Sequence, residues 1–180
     1  MKRVLVGVDG SDAADAALGW GGRLAHAVGA EVVVASVFGP VQAEVSPEKY
    51  EELKDEAGRR LAVEWSGPLA GSGVPHRPLL LTGPPDALLE AAEQEDAYLV
   101  VVGPRGHGGF ARLHIGSVAH HLAHHTTRPL AIVPAPGALD GFDRIVVGVD
   151  GSDGSTQAVR WCAEVARATG AEVVAVYAFE

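Results

Sequence analysis

The chain has a single cysteine, Cys162, in 180 residues, so no disulfide can form within it, and a reducing cytoplasm is the expected setting. It has no apolar run near the ~20 residues that a membrane helix needs. The N-terminus, Met-Lys-Arg-Val-Leu-Val-Gly, passes at once into a strand pattern, without the apolar segment and cleavage site of a signal peptide. No basic stripe offsets the formal charge of −9, which argues against a nucleic-acid backbone as partner and for a small molecule carrying its own counter-ion. Catalytic patterns are also missing. There is no Gly-Lys-Ser/Thr of a Walker A loop, no His-Glu-x-x-His, and no Ser/His/Asp order, lysine nucleophile or paired carboxylate motif.

What is present suits a globular α/β protein: 47% of the residues are hydrophobic, enough for one good core, or one domain plus a fragment. Val4 to Asp9 is a nearly all-apolar, β-branched run, as in a strand covered on both faces. Asp9-Gly10-Ser11-Asp12 then supplies turn formers that also suit a helix cap. Ala17, Trp20, Leu24 and Ala27 or Val28 recur at helical spacing, with Gly29 as the stop. Gly19, Gly21 and Gly22 weaken that helix by ~1 kcal/mol each, so packing has to hold it. Glu31 to Phe38 reads as the second strand. Ser46 and Pro47 open a helix whose apolar stripe, Tyr50, Leu53, Ala57, Leu61 and Trp65, is explained by core packing and ends near Gly67-Pro68. Arg77 to Thr82 is the third strand. Gly83-Pro84-Pro85-Asp86 opens a short helix through Leu88, Leu89 and Ala92. Ala97 to Val102 is the fourth strand, and Leu130 to Val133 is the fifth, after a helix ending near Thr127. Strands alternating with helices imply a parallel sheet with right-handed crossovers and helices on both faces.

The opening then repeats. Arg3-Val-Leu-Val-Gly-Val-Asp-Gly-Ser-Asp12 returns as Arg144-Ile-Val-Val-Gly-Val-Asp-Gly-Ser-Asp153. The match continues through Trp20 and Trp161 and through Gly29-Ala-Glu-Val-Val33 and Gly170-Ala-Glu-Val-Val174, as far as Phe38 and Phe179. The expected organisation is a complete domain at 1–136, a linker at 137–143, and a β-α-β unit at 144–180. That unit alone leaves apolar strand faces and both edges unsatisfied. Docking on its own domain, pairing in a homodimer, and exchange with the first unit of another chain all remain open.

The most informative stretch is Gly103-Pro-Arg-Gly-His-Gly-Gly-Phe-Ala-Arg-Leu-His-Ile-Gly-Ser117, between the fourth strand and a helix start at Ser117-Val118-Ala119. Glycines at a strand end let backbone approach a ligand, and a helix N-terminus offers free N–H groups and partial positive charge, so the segment describes a phosphate cradle. It is not the dinucleotide fingerprint, since Ala111 stands where the third glycine belongs. A loop with three glycines is also, more simply, a structural turn. In open parallel sheets ligands sit beyond the carboxyl ends of the strands where the strand order reverses.

The spacing Gly103, two residues, Gly106, nine residues, Gly116, Ser117 resembles the nucleotide-binding signature of the universal stress protein family, in the subgroup that binds ATP, here of tandem type with a truncated second repeat. The resemblance covers the whole first domain and, by repetition, the fragment. It implies an adenine nucleotide alpha hydrolase-like, Rossmann-like sheet of five parallel strands in the order 3-2-1-4-5, with the crevice between Asp9 at the end of strand one and Gly103 at the end of strand four. It also implies that Asp9 meets the adenine–ribose end, that backbone near Val37 flanks the base, and that Gly103, Gly106, Gly116 and Ser117 surround ribose and phosphates. Arg105 and Arg112 lie in the loop, where phosphate neutralisation and plain solvation are equally good readings. Asp9 also reads as a turn or cap aspartate, a role compatible with ligand contact. Asp150, Gly151 and Ser152 repeat Asp9, Gly10 and Ser11 without a matching loop and read as a vestige. The implied ligand is ATP, with ADP or AMP as variants and magnesium in company, although no carboxylate stands out to hold the metal.

Six of the eight histidines fall between His107 and His125, with His120/His124 and His121/His125 at i and i+4. That spacing suits zinc only with a third ligand, and a polar helix face is the reading adopted, with no metal assigned. Such a cluster is also a source of pH dependence near neutrality. His107 and His114 are placed to touch a phosphate, which is not hydrolysis. The function expected is a nucleotide-dependent stress sensor or regulator in the cytoplasm. The alternatives are an assembly module of the same fold that holds no nucleotide, and a slow ATP hydrolase.

Overall fold

Short runs of valine, leucine and alanine build a central parallel sheet whose inner strands are covered on both faces, so that 4–6, 32–35 and 99–102 are buried and the polar residues fall toward strand ends or on the outer strands. The computed structural model describes residues 1–39, 45–106, 115–134 and 141–178. Two compact units divide the chain, Met1–Ala138 and Leu139–Glu180.

In the first unit the strands are β1 (Arg3–Gly7), β2 (Glu31–Phe38), β3 (His76–Thr82), β4 (Leu99–Val102) and β5 (Leu130–Ile132). They form one five-stranded sheet, order β3-β2-β1-β4-β5, and every pairing is parallel. The helices are α1 (Asp12–Val28), α2 (Pro47–Arg60), α3 (Ala87–Gln94) and α4 (Ser117–His125). Leu5, Val33, Ala35, Val100 and Val102 share a core with Leu88, Ala91 and Ala92 of α3 and Ala119 and Leu122 of α4. Against Val4 and Val6 lies α1, where a Cβ on Gly21 would sit 2.9 Å from Val6 Cγ2 and one on Gly22 2.6 Å from Leu69 Cδ2. The helix glycines therefore exchange intrinsic propensity for close packing.

The amino ends of the strands are joined by charge. Arg77 Nη2 lies 2.5 Å from Glu95 Oε2, Arg77 Nε 3.6 Å from Glu31, and Arg3 Nε 3.5 Å from Glu95 and 3.7 Å from Glu31. The hydrogen bond to Glu95 raises the Arg77 pKa further above its ordinary value. Four segments are thus held together at the end opposite the glycine loop.

One expectation is corrected. The stripe from Tyr50 to Trp65 is not a single core-packed helix. α2 stops at Arg60 with no buried residue, Leu61–Trp65 is a π-helical turn, and Gly67–Leu69 is a 3₁₀ turn. Of the stripe only Leu61 is buried. Ser66 explains the break, its N–H and Oγ–H both donating to the Leu61 carbonyl at 3.1 and 2.7 Å.

The second unit repeats the opening element by element, with β6 (Arg144–Gly148), α5 (Asp153–Thr169) and β7 (Glu172–Val176), β6 pairing with β7 in parallel. Its capping also repeats. Ser11 and Ser152 both accept an N–H at their helix starts, and Gly29 and Gly170 both close in the left-handed region. Burial does not repeat. Leu5 is 0% exposed, and its counterpart Val146 is 63% exposed. Cys162 is buried on α5, and desolvation pushes its thiol pKa up. No helix among the described residues is long and apolar enough to cross a membrane.

Candidate functional site

β1 is the strand from which the sheet is wound in both directions, toward β2 on one side and β4 on the other, so the chain splays apart above the carboxyl ends of β1 and β4. A cavity of about 550 Å³ opens there, a size suited to a small ligand. Asp9, Val37, Gly103, Arg105, Gly106, Gly116 and Ser117, the residues singled out from the sequence, all line it. Its apolar side is made by Ala35, Val37, Leu88 and Val102, and its polar side by the loop and the start of α4.

The Asp9 carboxylate is held in one orientation. Ser11 N–H and Ser11 Oγ–H both donate to Asp9 Oδ1, at 3.1 and 2.6 Å, and Ser11 Oγ in turn accepts from Ala14 N–H at 3.3 Å. One serine therefore caps α1 and fixes the aspartate. The other carboxylate oxygen faces Gly106, where a Cβ would overlap Asp9 Oδ2. Gly10, between Asp9 and Ser11, has φ +82, a conformation that L side chains rarely adopt, and the Trp65 indole rests on it. Gly103 approaches the first turn of α1, a Cβ there falling 2.9 Å from the Ala13 carbonyl carbon and oxygen. The loop glycines are thus required by close contacts as well as by any ligand.

The start of α4 differs from those of α1, α2 and α5. Those three begin at Ser11, Ser46 and Ser152, whose side chains accept from a first-turn N–H. α4 begins at Gly116, which has no side chain to offer, and Gly116 N–H donates to the Pro104 carbonyl at 2.7 Å, pinning the two ends of the loop. Ser117, Val118 and Ala119 of this first turn, whose start no serine caps, line the cavity, and Ser117 is exposed.

Arg105 is exposed at the rim of this cavity. His107, Arg112 and His114 lie outside the described residues. Sequence reasoning missed one wall, Gly39 with Gly83, Pro84 and Pro85. The signal is available, since Gly-Pro-Pro directly follows β3 at a carboxyl strand end, but taken locally it is only a helix opener. The histidines of α4 pair by stacking, His120 on His124 and His121 on His125, each with centroids 4.4 Å apart. His121 Nε2 reaches Asp86 Oδ1 at 2.9 Å, linking the start of α3 to the middle of α4. Among the described residues no three His, Cys, Asp or Glu side chains gather as a metal ion needs.

This sheet order, with a glycine loop and an uncapped helix start at the reversal point, defines a doubly wound α/β protein with a ligand crevice between β1 and β4. A sequence model of the universal stress protein family matches residues 1–134 and 141–180. The chain belongs to the universal stress protein family. A universal stress protein of Thermus aquaticus is 33% identical over 134 residues, covering 73% of this chain and 98% of the relative. A universal stress protein of Mycolicibacterium smegmatis is 29% identical over 97% of this chain, which spans 63% of that relative's length. A solved universal stress protein in complex with cAMP is 29% identical, with a TM-score of 0.56 over 73% of this chain and 96% of its own.

Proposed function

We propose that the first unit binds an adenine nucleotide, ATP in the first instance with ADP or AMP as weaker alternatives, and that occupancy rather than turnover is its regulatory output. One observation carries this reading. Three loop glycines, an α4 start without a serine cap and a fixed aspartate converge on one cavity, with an apolar slot at the other side. The slot fits a flat base, and the N–H groups and Ser117 hydroxyl fit phosphate oxygens. Arg105 at the rim would neutralise charge, and Asp9 would accept from a ribose hydroxyl. The cAMP complex of a relative supports the same ligand class. Asp9 is the one carboxylate among the described lining residues, so magnesium arriving with ATP would be held mainly by phosphates.

We read 1–136 as one repeat and 144–180 as the opening β-α-β unit of a second, joined by 137–143. The exposed Val146, Val176 and Tyr177 of the second unit support self-association into a homodimer, which sedimentation velocity would detect. The test of binding is to denature the purified protein and identify released nucleotide by chromatography and mass spectrometry. Stoichiometric ATP or ADP, lost in a folded Gly116→Val variant, is the expected result. No nucleotide, and none taken up from added ATP, would contradict it.

A further inference from the structure

Trp65 lies outside the cavity lining yet touches the turn that carries Asp9. A Cβ on Gly10 would sit 2.5 Å from Trp65 Nε1 and 2.7 Å from its Cε2, so the indole lies directly on the Gly10 Cα. One residue earlier in the same turn, Asp9 Oδ2 abuts Gly106. The turn therefore touches the indole at Gly10 and the glycine loop at Asp9.

The second repeat provides an internal control. Gly151 has the φ of +82 found at Gly10, and Ser152 N–H donates to Asp150 Oδ1 at 2.9 Å as Ser11 does to Asp9. Nothing lies within 4 Å of a Cβ built on Gly151. The turn therefore forms without an indole, and shaping it is not what Trp65 does. The chain also departs from regular helix to deliver this ring. α2 changes to a π-helical turn over Leu61–Trp65, pivoting on buried Leu61, and such turns collect at functional positions. The Arg60 guanidinium covers the indole at 5.2 Å and is itself paired with Glu64 at 3.3 Å.

We propose that Trp65 is a positioning residue of the nucleotide site: pressed on Gly10, its indole keeps the Asp9 carboxylate against Gly106, at the position from which it meets bound nucleotide. The inference rests on the nucleotide reading above. Its physical content is preorganisation, because a carboxylate already held in place loses little freedom when ligand arrives.

The test is ATP affinity of the full chain by calorimetry in wild type, Trp65→Ala, Trp65→Phe, Asp9→Asn and the Trp65→Ala/Asp9→Asn double variant. Trp65→Ala is expected to weaken ATP about tenfold and Trp65→Phe by no more than about twofold. In the Asp9→Asn background, the Trp65→Ala loss is expected to shrink to about twofold or less, which a merely structural role would not produce. Should Trp65→Ala not fold, Trp65→Leu keeps the apolar bulk without a ring face and takes its place in the cycle. An unchanged affinity in Trp65→Ala, or a loss equally large with and without Asp9, overturns the proposal. Wild-type protein that binds no adenine nucleotide overturns it together with the nucleotide reading, and is distinguishable from both of those results.

Discussion

At the scale of the residue, the site depends on atoms that are absent. Gly106 faces Asp9 Oδ2 so closely that any side chain must displace the carboxylate, and Gly103 meets Ala13 backbone, which cannot move aside. Gly103→Ala is expected to lower stability by about 1–3 kcal/mol through overpacking, read from the denaturant midpoint. Gly106→Ala sits on an exposed loop and should leave the melting temperature nearly unchanged while weakening nucleotide binding more than tenfold. Asp150 gives a pH prediction. Hydrogen bonds from the Ser152 hydroxyl and amide, then the Ser155 hydroxyl, hold its pKa at about 2. With the folded value below the unfolded one, its contribution to stability is complete above the unfolded pKa of ~3.9 and is lost as pH falls toward 2. An NMR titration should place the Asp150 midpoint near 2, and a midpoint near 4 would contradict the geometry. Asp9 and Asp150 were legible in the sequence because turn chemistry is local, and Gly103 and Gly106 because glycines between a strand end and a helix start stand at a spacing that resembles the family's. Trp65 was not, since its contact with Gly10 joins residues 55 positions apart and helical spacing alone made it a core residue.

Elements extend the same logic. Strand and helix identities followed from β-branched runs and caps, and Ser46-Pro47, Gly29 and the Glu31–Phe38 strand are where local chemistry places them. The break in α2 was hidden, because the hydroxyl that makes it, Ser66, acts on a carbonyl five residues back and leaves the apolar stripe intact. The ion pairs at the amino ends were equally invisible, since Arg3, Glu31, Arg77 and Glu95 meet only once the sheet is wound. Glu31 and Glu95, the two acceptors, are equally buried, and Glu95 makes the shorter contact with Arg77. Glu95→Gln should cost on the order of 1 kcal/mol at low salt and less in 1 M salt, with nucleotide affinity unchanged, because this network lies at the far end of the strands.

For the whole molecule, the two units carry one sequence pattern in two environments. β1 and β2 are buried between helices, whereas β6 and β7 expose valines at the matching positions. Hydrogen exchange should therefore be slow in 4–6 and 32–35 and faster in 145–147 and 173–176. Equal protection would mean that the second unit is covered in solution. The repeat itself was plain in the sequence, but which copy is buried is decided by β3 to β5 and their helices, which only the first copy has within this sequence.

Everything functional in this account rests on the cavity between β1 and β4 taking an adenine nucleotide. The most direct measurement is calorimetric titration of ATP into the nucleotide-free full chain, with Gly106→Val as control. Saturable binding of about one ATP per chain, abolished in a Gly106→Val variant that melts like wild type, is the expected result. No binding by the wild-type chain, or undiminished binding by that variant, would contradict it.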